Sequence, residues 1–509
     1  MVYITSMHKR QIYLLSPKKL SPEIIAVAFA KTSRSPDSFQ KIADELSDEA
    51  SAKFNEKWVV GYGHASVAEH AVLHIAIENV SRLAVECIES NRLASYTEKS
   101  TRYQRWGPDD YFVQLTLPTV EETVSTSYQK LGPEDFFIPP ELESHKKLRE
   151  SYFNTCNLLF DTYRRSLNSL KALVEKQNPR HQDESEAGYN GRIRSLYVDS
   201  CRFLLPAASL ANLGMTANAR VLEHAISKML SHPLAEVRQV GEEVKCVAQA
   251  EVPTLVKYAR EIPYLVETGK ELSHNPLSAK TGDSKVIEEN DQSWCRLIDF
   301  DPEGETRVLA AALFRFGEMS FSQALDKVKS SNQADQINLA NSLMGHLGEH
   351  DSPLRELEHT SYTFELLLDQ GGYAEFKRHR MMTQTPQSLT TRLGYAIPNR
   401  IVEAGFKAPY CSAMEKAAET YEELAHRNPF IASYIVPNGY NRRVLFTINL
   451  REAFVFCQLR SAANAHYSMR RVAQRVADEI RSVHPLLSKY MPLPEETWQA
   501  VESQYFFKT

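Results

Sequence analysis

Two periodicities alternate along this chain and predict a mixture of strands and helices. In the stretch TSYTFELL, Tyr362, Phe364 and Leu366 occupy every second position, which is the period of a strand with one buried face. Residues 215–244 and 446–476 instead carry apolar side chains three and four positions apart. That spacing predicts amphipathic helices. The chain is therefore expected to belong to the α+β class.

Three blocks of the sequence occur twice, in the same order. The first block is a short apolar strand, a turn proline and an amphipathic helix. The second places Glu-His before an apolar run and ends in a helix that closes on an arginine. The third is helical and contains Asn-x-Arg. The pairs are 10–40 with 294–324, 63–92 with 349–380, and 215–244 with 446–476. We predict a tandem duplication of one α+β unit, arranged as a pseudo-dimer, because two copies are too few for a solenoid.

The copies differ in the spacing between their second and third blocks. Arg92 and Arg220 are 128 residues apart, whereas Arg380 and Arg451 are 71 apart. The extra 57 residues predict an insertion in the first copy at about 125–195.

A polar stretch, AKTGDSKVIEENDQS, separates the two copies. We accordingly predict a first domain at 1–280, a linker at 281–293 and a second domain at 294–509.

Composition narrows the function classes. The 509 residues are 43% hydrophobic and 24% charged, with a net charge of −5, so the bulk charge does not favour nucleic-acid binding. Seven cysteines show no CxxC pair, which argues against a disulfide framework or a metal site. We see no signal peptide and no run long enough to span a membrane, and we expect a cytoplasmic protein.

Several motifs together resemble the signature of the flavin-dependent thymidylate synthases. That family carries G-H-x-[ST]-x-x-E-H, then R-H-R-x-x-S-x-N-E-x-S-x-R-Y. An arginine four residues before the proline of a Leu-Pro pair and an Asn-x-Arg helix follow. This chain shows GHASVAEH at 63–70, SYTEKSTRY at 95–103 and RHR at 378–380. Any one short match is weak, but several in the right order in both copies indicate kinship. The resemblance implies a unit built of an antiparallel sheet with long helices.

Each copy departs from the signature at different positions. The first keeps Glu98, Ser100, Arg102 and, before Leu-Pro, Arg202. It has Ser90-Asn91 where the signature has Arg-His, Thr97 where it has asparagine, and Met229 where a late-helix arginine is expected.

The second copy keeps the triplet at 378–380 and the late-helix Arg460. Pro386 stands where the signature has its acid, the loop arginine comes two places late, and Ser433 replaces the arginine before Leu-Pro. The retained residues are therefore complementary between the copies.

The resemblance implies a site shared between subunits, which the fused chain would build once from both copies. The implied substrate-binding residues are Glu98, Ser100, Arg102, Arg202, Arg378 and Arg460. Of these, Arg460 and Ser100 are assigned the catalytic role, with Arg460 near the uracil ring. The implied flavin contacts are His64, Ser66, Arg378, His379, Arg380, Asn218 and Asn449. Arginines suit this task because a guanidinium is a fixed fork of donors that stays charged.

The implied reaction is FAD-dependent methylation of dUMP to dTMP, with methylenetetrahydrofolate and NADPH as co-substrates. Two alternatives stay open: a non-catalytic relative that binds nucleotide or flavin, and flavin-dependent methylation of another nucleotide. The resemblance also implies a homodimer that forms a pseudo-tetramer. Each residue has a plainer explanation as well. The Asn-x-Arg pairs would then be helix caps, the arginines ordinary ion pairs, and RHR a solvated helix end.

Overall fold

A computed structural model describes residues 15, 17–32, 35, 38–61, 65–100, 102, 136–275, 277, 294–348 and 350–508. Apart from residue 15, the predicted strand near residues 10–16 lies outside this part of the chain, as does the linker at 281–293. So does His64.

The described residues form twenty α-helices joined by short 3₁₀ and π segments. They are α1 (Pro22–Thr32), α2 (Phe39–Asp44), α3 (Asp48–Asn55), α4 (Arg82–Glu89), α5 (Lys146–Gln177), α6 (Glu186–Cys201), α7 (Ala219–Leu230), α8 (Ala235–Glu251), α9 (Pro263–His274), α10 (Gly304–Phe316), α11 (Phe321–Ser330), α12 (Gln333–Met344), α13 (Gln370–Phe376), α14 (Asn399–Glu403), α15 (Lys407–Ala425), α16 (Pro429–Ala432), α17 (Leu450–Ser461), α18 (Tyr467–Val483), α19 (Pro485–Ser488) and α20 (Trp498–Tyr505).

Seven strands form two sheets. They are β1 (Val72–Ser81), β2 (Ser95–Glu98), β3 (Leu210–Asn218), β4 (Cys295–Phe300), β5 (Ser361–Asp369), β6 (Thr383–Pro386) and β7 (Asn441–Asn449). One sheet has the order β1-β3-β2 and the other β4-β5-β7-β6. The pairs with a resolved register are antiparallel. The α+β class and the duplicated unit are therefore confirmed.

The order β1-β3-β2 of the first sheet corresponds to β5-β7-β6 of the second. The register of the short strands β2 and β6 is repeated as well. Ser95 faces Thr216 in the first sheet, and Thr383 faces Thr447 in the second. At the other end of the same short strands, Glu98 faces Leu213 and Pro386 faces Val444. Pro386 therefore stands at the sheet position of Glu98, as the sequence alignment of the copies predicts.

The chain forms two compact units. The first comprises Met1–Glu78, Leu93–Glu98 and Asn212–Ala279. The second comprises Asn79–Arg92, Lys99–Ala211 and Lys280–Thr509. The second unit thus contains the second repeat together with two segments of the first. The domain boundaries drawn from the sequence stay a prediction.

The second sheet packs on helices to form the core of the second unit. Tyr362, Phe364 and Leu366 are fully buried, which confirms the alternation that the sequence shows. They lie in one apolar cluster with Phe446 and with Val476 of α18. Alternation along β5 and the apolar stripe of α18 thus meet in a single core.

Within the second unit, two equivalent turns of the repeats bond to each other with near-exact reciprocity. The Ala207 N–H donates to the Val436 carbonyl (2.9 Å), and the Asn438 N–H donates to the Leu205 carbonyl (2.9 Å). A second reciprocal pair follows outside them, from Ala208 to Tyr434 (2.8 Å) and from Gly439 to Phe203 (2.8 Å). Such self-complementary pairing is the pattern of a two-fold axis. It supports the pseudo-dimer arrangement.

The extra residues of the first copy include the longest helix, α5, and the helix α6. Helix α5 packs against α15 of the second repeat, where the hydroxyls of Thr155 and Thr420 lie 2.7 Å apart. Helix α6 ends at Cys201, directly before Arg202. Part of the insertion therefore places a candidate site residue.

No helix in the described ranges has the length and apolar character needed to cross a membrane. Within the same ranges, no group of three or more histidine, cysteine or acidic side chains is arranged to hold a metal ion.

Candidate functional site

Arg102 is held in place by two elements of the second unit. Its Nε and Nη2 atoms donate to the two oxygens of Asp199, both at 2.9 Å, and its Nη1 donates to the Asn464 carbonyl at 3.2 Å. The hydroxyl of Ser100 accepts from the Arg102 backbone N–H at 3.2 Å. Because the carboxylate contact is bidentate, the plane of this guanidinium is fixed.

Arg202 begins the 3₁₀ turn that follows α6 and is only 2% exposed. The turn is one of those joined across the pseudo-two-fold, and the Asn438 side chain donates to the Arg202 carbonyl at 3.1 Å. Nη2 of Arg202 lies 3.5 Å from Oε1 of Glu375. A buried guanidinium needs a compensating charge, and Glu375 supplies it.

Glu375 lies on α13, whose N-terminus is capped by Asp369 through the Gly372 N–H (2.7 Å). Its Oε1 is 3.9 Å from Nε of Arg102, and its Oε2 is 3.6 Å from Nη1 of Arg460. Three guanidinium groups therefore surround one carboxylate. We call Arg102, Arg202, Arg460 and Glu375 the arginine cluster. Two of its arginines come from the first repeat and one from the second.

Arg460 is oriented by a histidine rather than by a carboxylate. Its Nε donates to Nε2 of His379 at 2.7 Å, and Nδ1 of His379 lies 3.5 Å from Oε1 of Glu452. Since Nε2 accepts, the ring is neutral and its proton sits on Nδ1. Burial lowers the pKa of His379, and the charge of Arg460 lowers it further. His379 is therefore a positioning residue.

Arg378 follows α13 by two residues and has an exposed side chain. Burial lowers the pKa of Arg460, and the charges of Arg378 and Arg102 act in the same direction. Arg378 is thus close enough to add to the positive field of the cluster, although it does not pack inside it.

His466 caps the N-terminus of α18 beside the cluster. Its Nδ1 accepts from the Ser468 N–H at 3.2 Å, so Nε2 carries the proton and faces the Asp199 carbonyl at 3.3 Å. Burial lowers the pKa of His466 well below its usual value, and the charges of Arg202 and Arg102 lower it further. The ring is neutral at physiological pH.

The cluster and its neighbours carry more positive than negative charge. Four guanidinium groups, including that of Arg378, stand against the three carboxylates of Asp199, Glu375 and Glu452. All belong to the second compact unit. Fixed guanidinium forks with a charge excess are suited to binding a phosphate or another oxyanion. The arrangement is therefore a candidate anion site assembled from both repeats.

The other residues implied by the resemblance lie elsewhere or serve other contacts. Glu98 ends β2 and belongs to the first compact unit, as does Ser66, which is exposed in the 3₁₀ segment Ala65–His70. Arg380 donates from Nη1 to the Arg92 carbonyl at 2.9 Å. Their assignment to substrate or flavin stays a prediction.

Asn218 and Asn449 are N-caps of α7 and α17. Their side chains accept from the N–H groups of Val221 (2.9 Å) and Glu452 (2.8 Å). The plainer interpretation of the repeated Asn-x-Arg pair, helix capping, is thus present in both copies. A flavin contact of either side chain stays a prediction.

The arginine of each Asn-x-Arg pair also has an equivalent partner. Arg220 forms an ion pair with Glu69, and Arg451 forms one with Glu358 (3.1 Å). Each acid precedes the histidine of a repeated Glu-His pair. The Glu-His and Asn-x-Arg repeats are therefore joined by one repeated ion pair in each copy.

Our sequence analysis missed Asp199, Glu375 and His466. Asp199 lies three residues before Arg202 and Glu375 three before Arg378, but these neighbours are not their contacts: Asp199 binds Arg102, and Glu375 lies near Arg102, Arg202 and Arg460. Helical spacing from a site arginine would therefore have suggested the wrong partners. The role of His466 could not be predicted either, because it depends on where α18 begins.

The fold and the cluster define a duplicated α+β protein with a candidate anion site composed from its two repeats. Residues 15–254 and 296–486 both match the family described as thymidylate synthase complementing protein. The chain therefore belongs to this family, as the motifs indicate.

Two kinds of relatives are similar to the chain. A UPF0159 protein of Chlamydia muridarum is 30% identical over 458 residues, which cover 88% of this chain and 82% of that protein. A UPF0159 protein of Thermoplasma acidophilum is 27% identical over 476 residues, which cover 87% of this chain and 89% of that protein. A flavin-dependent thymidylate synthase of Pyrococcus abyssi is 27% identical over 236 residues, 44% of this chain and 78% of that protein. The first kind matches along both repeats, whereas the second matches a length close to one repeat.

Proposed function

We propose that the chain is a flavin-dependent thymidylate synthase-like enzyme whose nucleotide site is the arginine cluster. One observation carries the proposal. Arg102 and Arg202 of the first repeat and Arg460 of the second approach the same carboxylate within 4 Å. Family membership supplies the reaction class, and the names of relatives such as the Pyrococcus abyssi enzyme support a flavin.

In this proposal, Arg102 and Arg202 hold the 5′-phosphate of dUMP. Arg202 is buried and Arg102 is locked by Asp199, so neither has to be ordered when the nucleotide binds. Ser100 adds a hydroxyl next to Arg102. These two guanidinium groups are thus positioned before the substrate arrives.

Arg460 is proposed to face the uracil ring. His379 fixes its Nε, so the remaining donors keep one direction. A guanidinium beside the ring stabilises negative charge that develops on it during methylation. The lowered pKa of Arg460 leaves it protonated at neutral pH, since the usual value is far above 7.

The residues at the end of α13 fit a flavin in part. Arg378 is exposed and Arg380 is anchored through Arg92, so both suit a diphosphate. His379 is 7% exposed and already bonded, so it fits support of Arg460 better than direct contact. The flavin, when bound, would supply the hydride chemistry, with NADPH as the reductant.

The first experiment is the absorbance spectrum of the purified protein. We expect bound flavin, retained after desalting, and binding of dUMP by calorimetry. With methylenetetrahydrofolate and NADPH, dTMP should form. A protein that binds dUMP and flavin without forming dTMP would favour the non-catalytic alternative, and a protein that binds neither would refute the proposal.

The quaternary structure is part of the same proposal. A chain that already contains two repeats is expected to associate as a homodimer, giving four repeats around approximate two-fold axes. Light scattering coupled to size-exclusion chromatography measures this directly, and a monomer at micromolar concentration would contradict it.

A further inference from the structure

Glu375 occupies an unusual place for a carboxylate in an anion site. Its side chain is 12% exposed, and its Oε1 is buried without a hydrogen bond among the described residues. Its distances to the three guanidinium groups, 3.5 to 3.9 Å, exceed those of a charge-assisted hydrogen bond. The Arg102–Asp199 pair shows the tight alternative, with both contacts at 2.9 Å.

The Glu375 carboxylate is attracted by three guanidinium groups at once and forms a tight ion pair with none of them. The combined potential of three fixed guanidinium groups stabilises an anion most at the place where they converge. The Glu375 carboxylate lies at that point. A phosphate that enters the cluster meets a negative charge already in place.

We propose that Glu375 is a resident competitor for the ligand phosphate and thereby determines what the cluster accepts. The phosphate binds only when the carboxylate moves away from the arginines. The free energy of phosphate binding is therefore reduced by the cost of displacing the carboxylate. Free inorganic phosphate, which has no sugar or base to add further contacts, is consequently rejected. This inference rests on the proposed function, because it takes a nucleotide phosphate as the ligand.

The test is Glu375→Gln, which keeps the shape of the side chain and removes its charge. We expect the affinity for inorganic phosphate, measured by calorimetry at low ionic strength, to rise about tenfold or more. The affinity for dUMP should rise with it, whereas the affinity for deoxyuridine, which carries no phosphate, should not change. An affinity for phosphate that is unchanged or lower in the variant overturns the proposal, and so does failure of both proteins to bind phosphate.

Glu86→Gln is the matched control. Glu86 is similarly covered, with a side chain 16% exposed, but it makes a tight 2.6 Å contact with the single guanidinium of Arg442. Its substitution removes the same charge from a pair that lacks converging arginines. We expect no gain in phosphate affinity. A gain as large as that of Glu375→Gln would overturn the proposal, because removing the charge of any buried acid would then raise the phosphate affinity.

Thermal unfolding with and without phosphate distinguishes a folding defect of Glu375→Gln from a change in phosphate binding. Removing Glu375 leaves three guanidinium groups with less compensation, so the variant should melt below the wild type without ligand. Phosphate should then raise its melting temperature more than that of the wild type. An equal or smaller rise contradicts the proposal.

Flavin content and dTMP formation are measured separately on the wild type. A colourless, inactive protein whose Glu375→Gln variant gains phosphate affinity would refute the proposed function alone.

Discussion

The arginine cluster and its counterpart, the equivalent positions contributed by the other copy, carry different side chains. Arg202 begins one 3₁₀ turn and faces Glu375. Ser433 begins the equivalent turn, and its hydroxyl donates to the Leu389 carbonyl at 2.8 Å. The backbone of both turns is preserved by the reciprocal hydrogen bonds, so a serine replaces an arginine without changing the fold.

The helices that follow β1 and β5 show the same contrast. After α13 come Arg378 and His379, whereas after α4 come Ser90 and Asn91. The Ser90 hydroxyl donates to the Cys87 carbonyl at 2.5 Å, and the Asn91 side chain donates to the Ile88 carbonyl at 2.8 Å. These contacts finish a helix instead of extending charge toward a ligand.

A different ion pair in the second unit, that of Arg442 and Glu86, has one guanidinium group instead of three. Arg442 contacts Glu86, donates to the Gln387 carbonyl at 2.6 Å and lies over the ring of Tyr373 at 4.7 Å. Burial by itself would raise the pKa of Glu86, but the charges of Arg442 and Lys377 outweigh it and lower that pKa.

The contrast teaches how a duplicated site can change. In the proposed arrangement, each site draws residues from both copies, so a loss in either copy damages only one of the two sites. The two copies could therefore lose different residues while one site kept its charges.

The largest effect is expected from giving the cluster the counterpart's residue. Arg202→Ser removes a buried guanidinium and leaves Glu375 with less compensation. Binding of dUMP should weaken by about 2–5 kcal/mol, measured by calorimetry. Arg392→Ser, which removes an arginine on the counterpart side, is the control and should leave dUMP affinity unchanged. Equal affinity in the wild type and Arg202→Ser would contradict the cluster as the phosphate site.

A second prediction concerns pH and the neutral ring of His466. Its pKa is lowered in the folded protein, so the unfolded chain binds more protons below pH about 6.5. The stability that His466 contributes is complete above that pH. As the pH falls toward the folded pKa, the loss should be about 1.4 kcal/mol per pH unit.

His466→Asn isolates this term, because asparagine can still cap α18 but does not titrate. Urea unfolding at a series of pH values should show a shallower acid loss in the variant than in the wild type. Parallel curves for the two proteins would show that His466 does not titrate with unfolding.

A third prediction uses the repeated caps. Asn218→Ala and Asn449→Ala should each cost about 1 kcal/mol of unfolding free energy, because each removes one N-cap acceptor. If capping is their only role, the flavin affinity of both variants should equal that of the wild type. A drop in flavin affinity for one of them alone would identify that asparagine as a flavin contact.

The smallest effect is expected at the displaced arginine of the second copy. Arg392 forms an exposed, bidentate pair with Glu422 at 2.8 and 2.7 Å. Glu422→Gln should change the unfolding free energy by less than about 1 kcal/mol, because water and salt screen such pairs. A larger loss in urea unfolding would mean that this loop has acquired a structural role.

Much of the fold was predictable because its signals are local and occur twice. Alternation identified β5, three- and four-residue spacing identified the helices of the third block, and repetition identified the duplication. The partners of the site arginines were not predictable in the same way. Asp199 and Arg102 are 97 residues apart in sequence, and nothing in either neighbourhood specifies their contact.

The amino-acid sequence alone shows which charges the two copies keep and which they lose, because it specifies each side chain directly. It also determined the repeat and the family. Only the tertiary structure decided that Arg102, Arg202 and Arg460 meet at Glu375, because that meeting depends on packing between segments hundreds of residues apart. The physical reason is that periodicity reports the burial of a face, whereas convergence of charges depends on how separate faces are brought together.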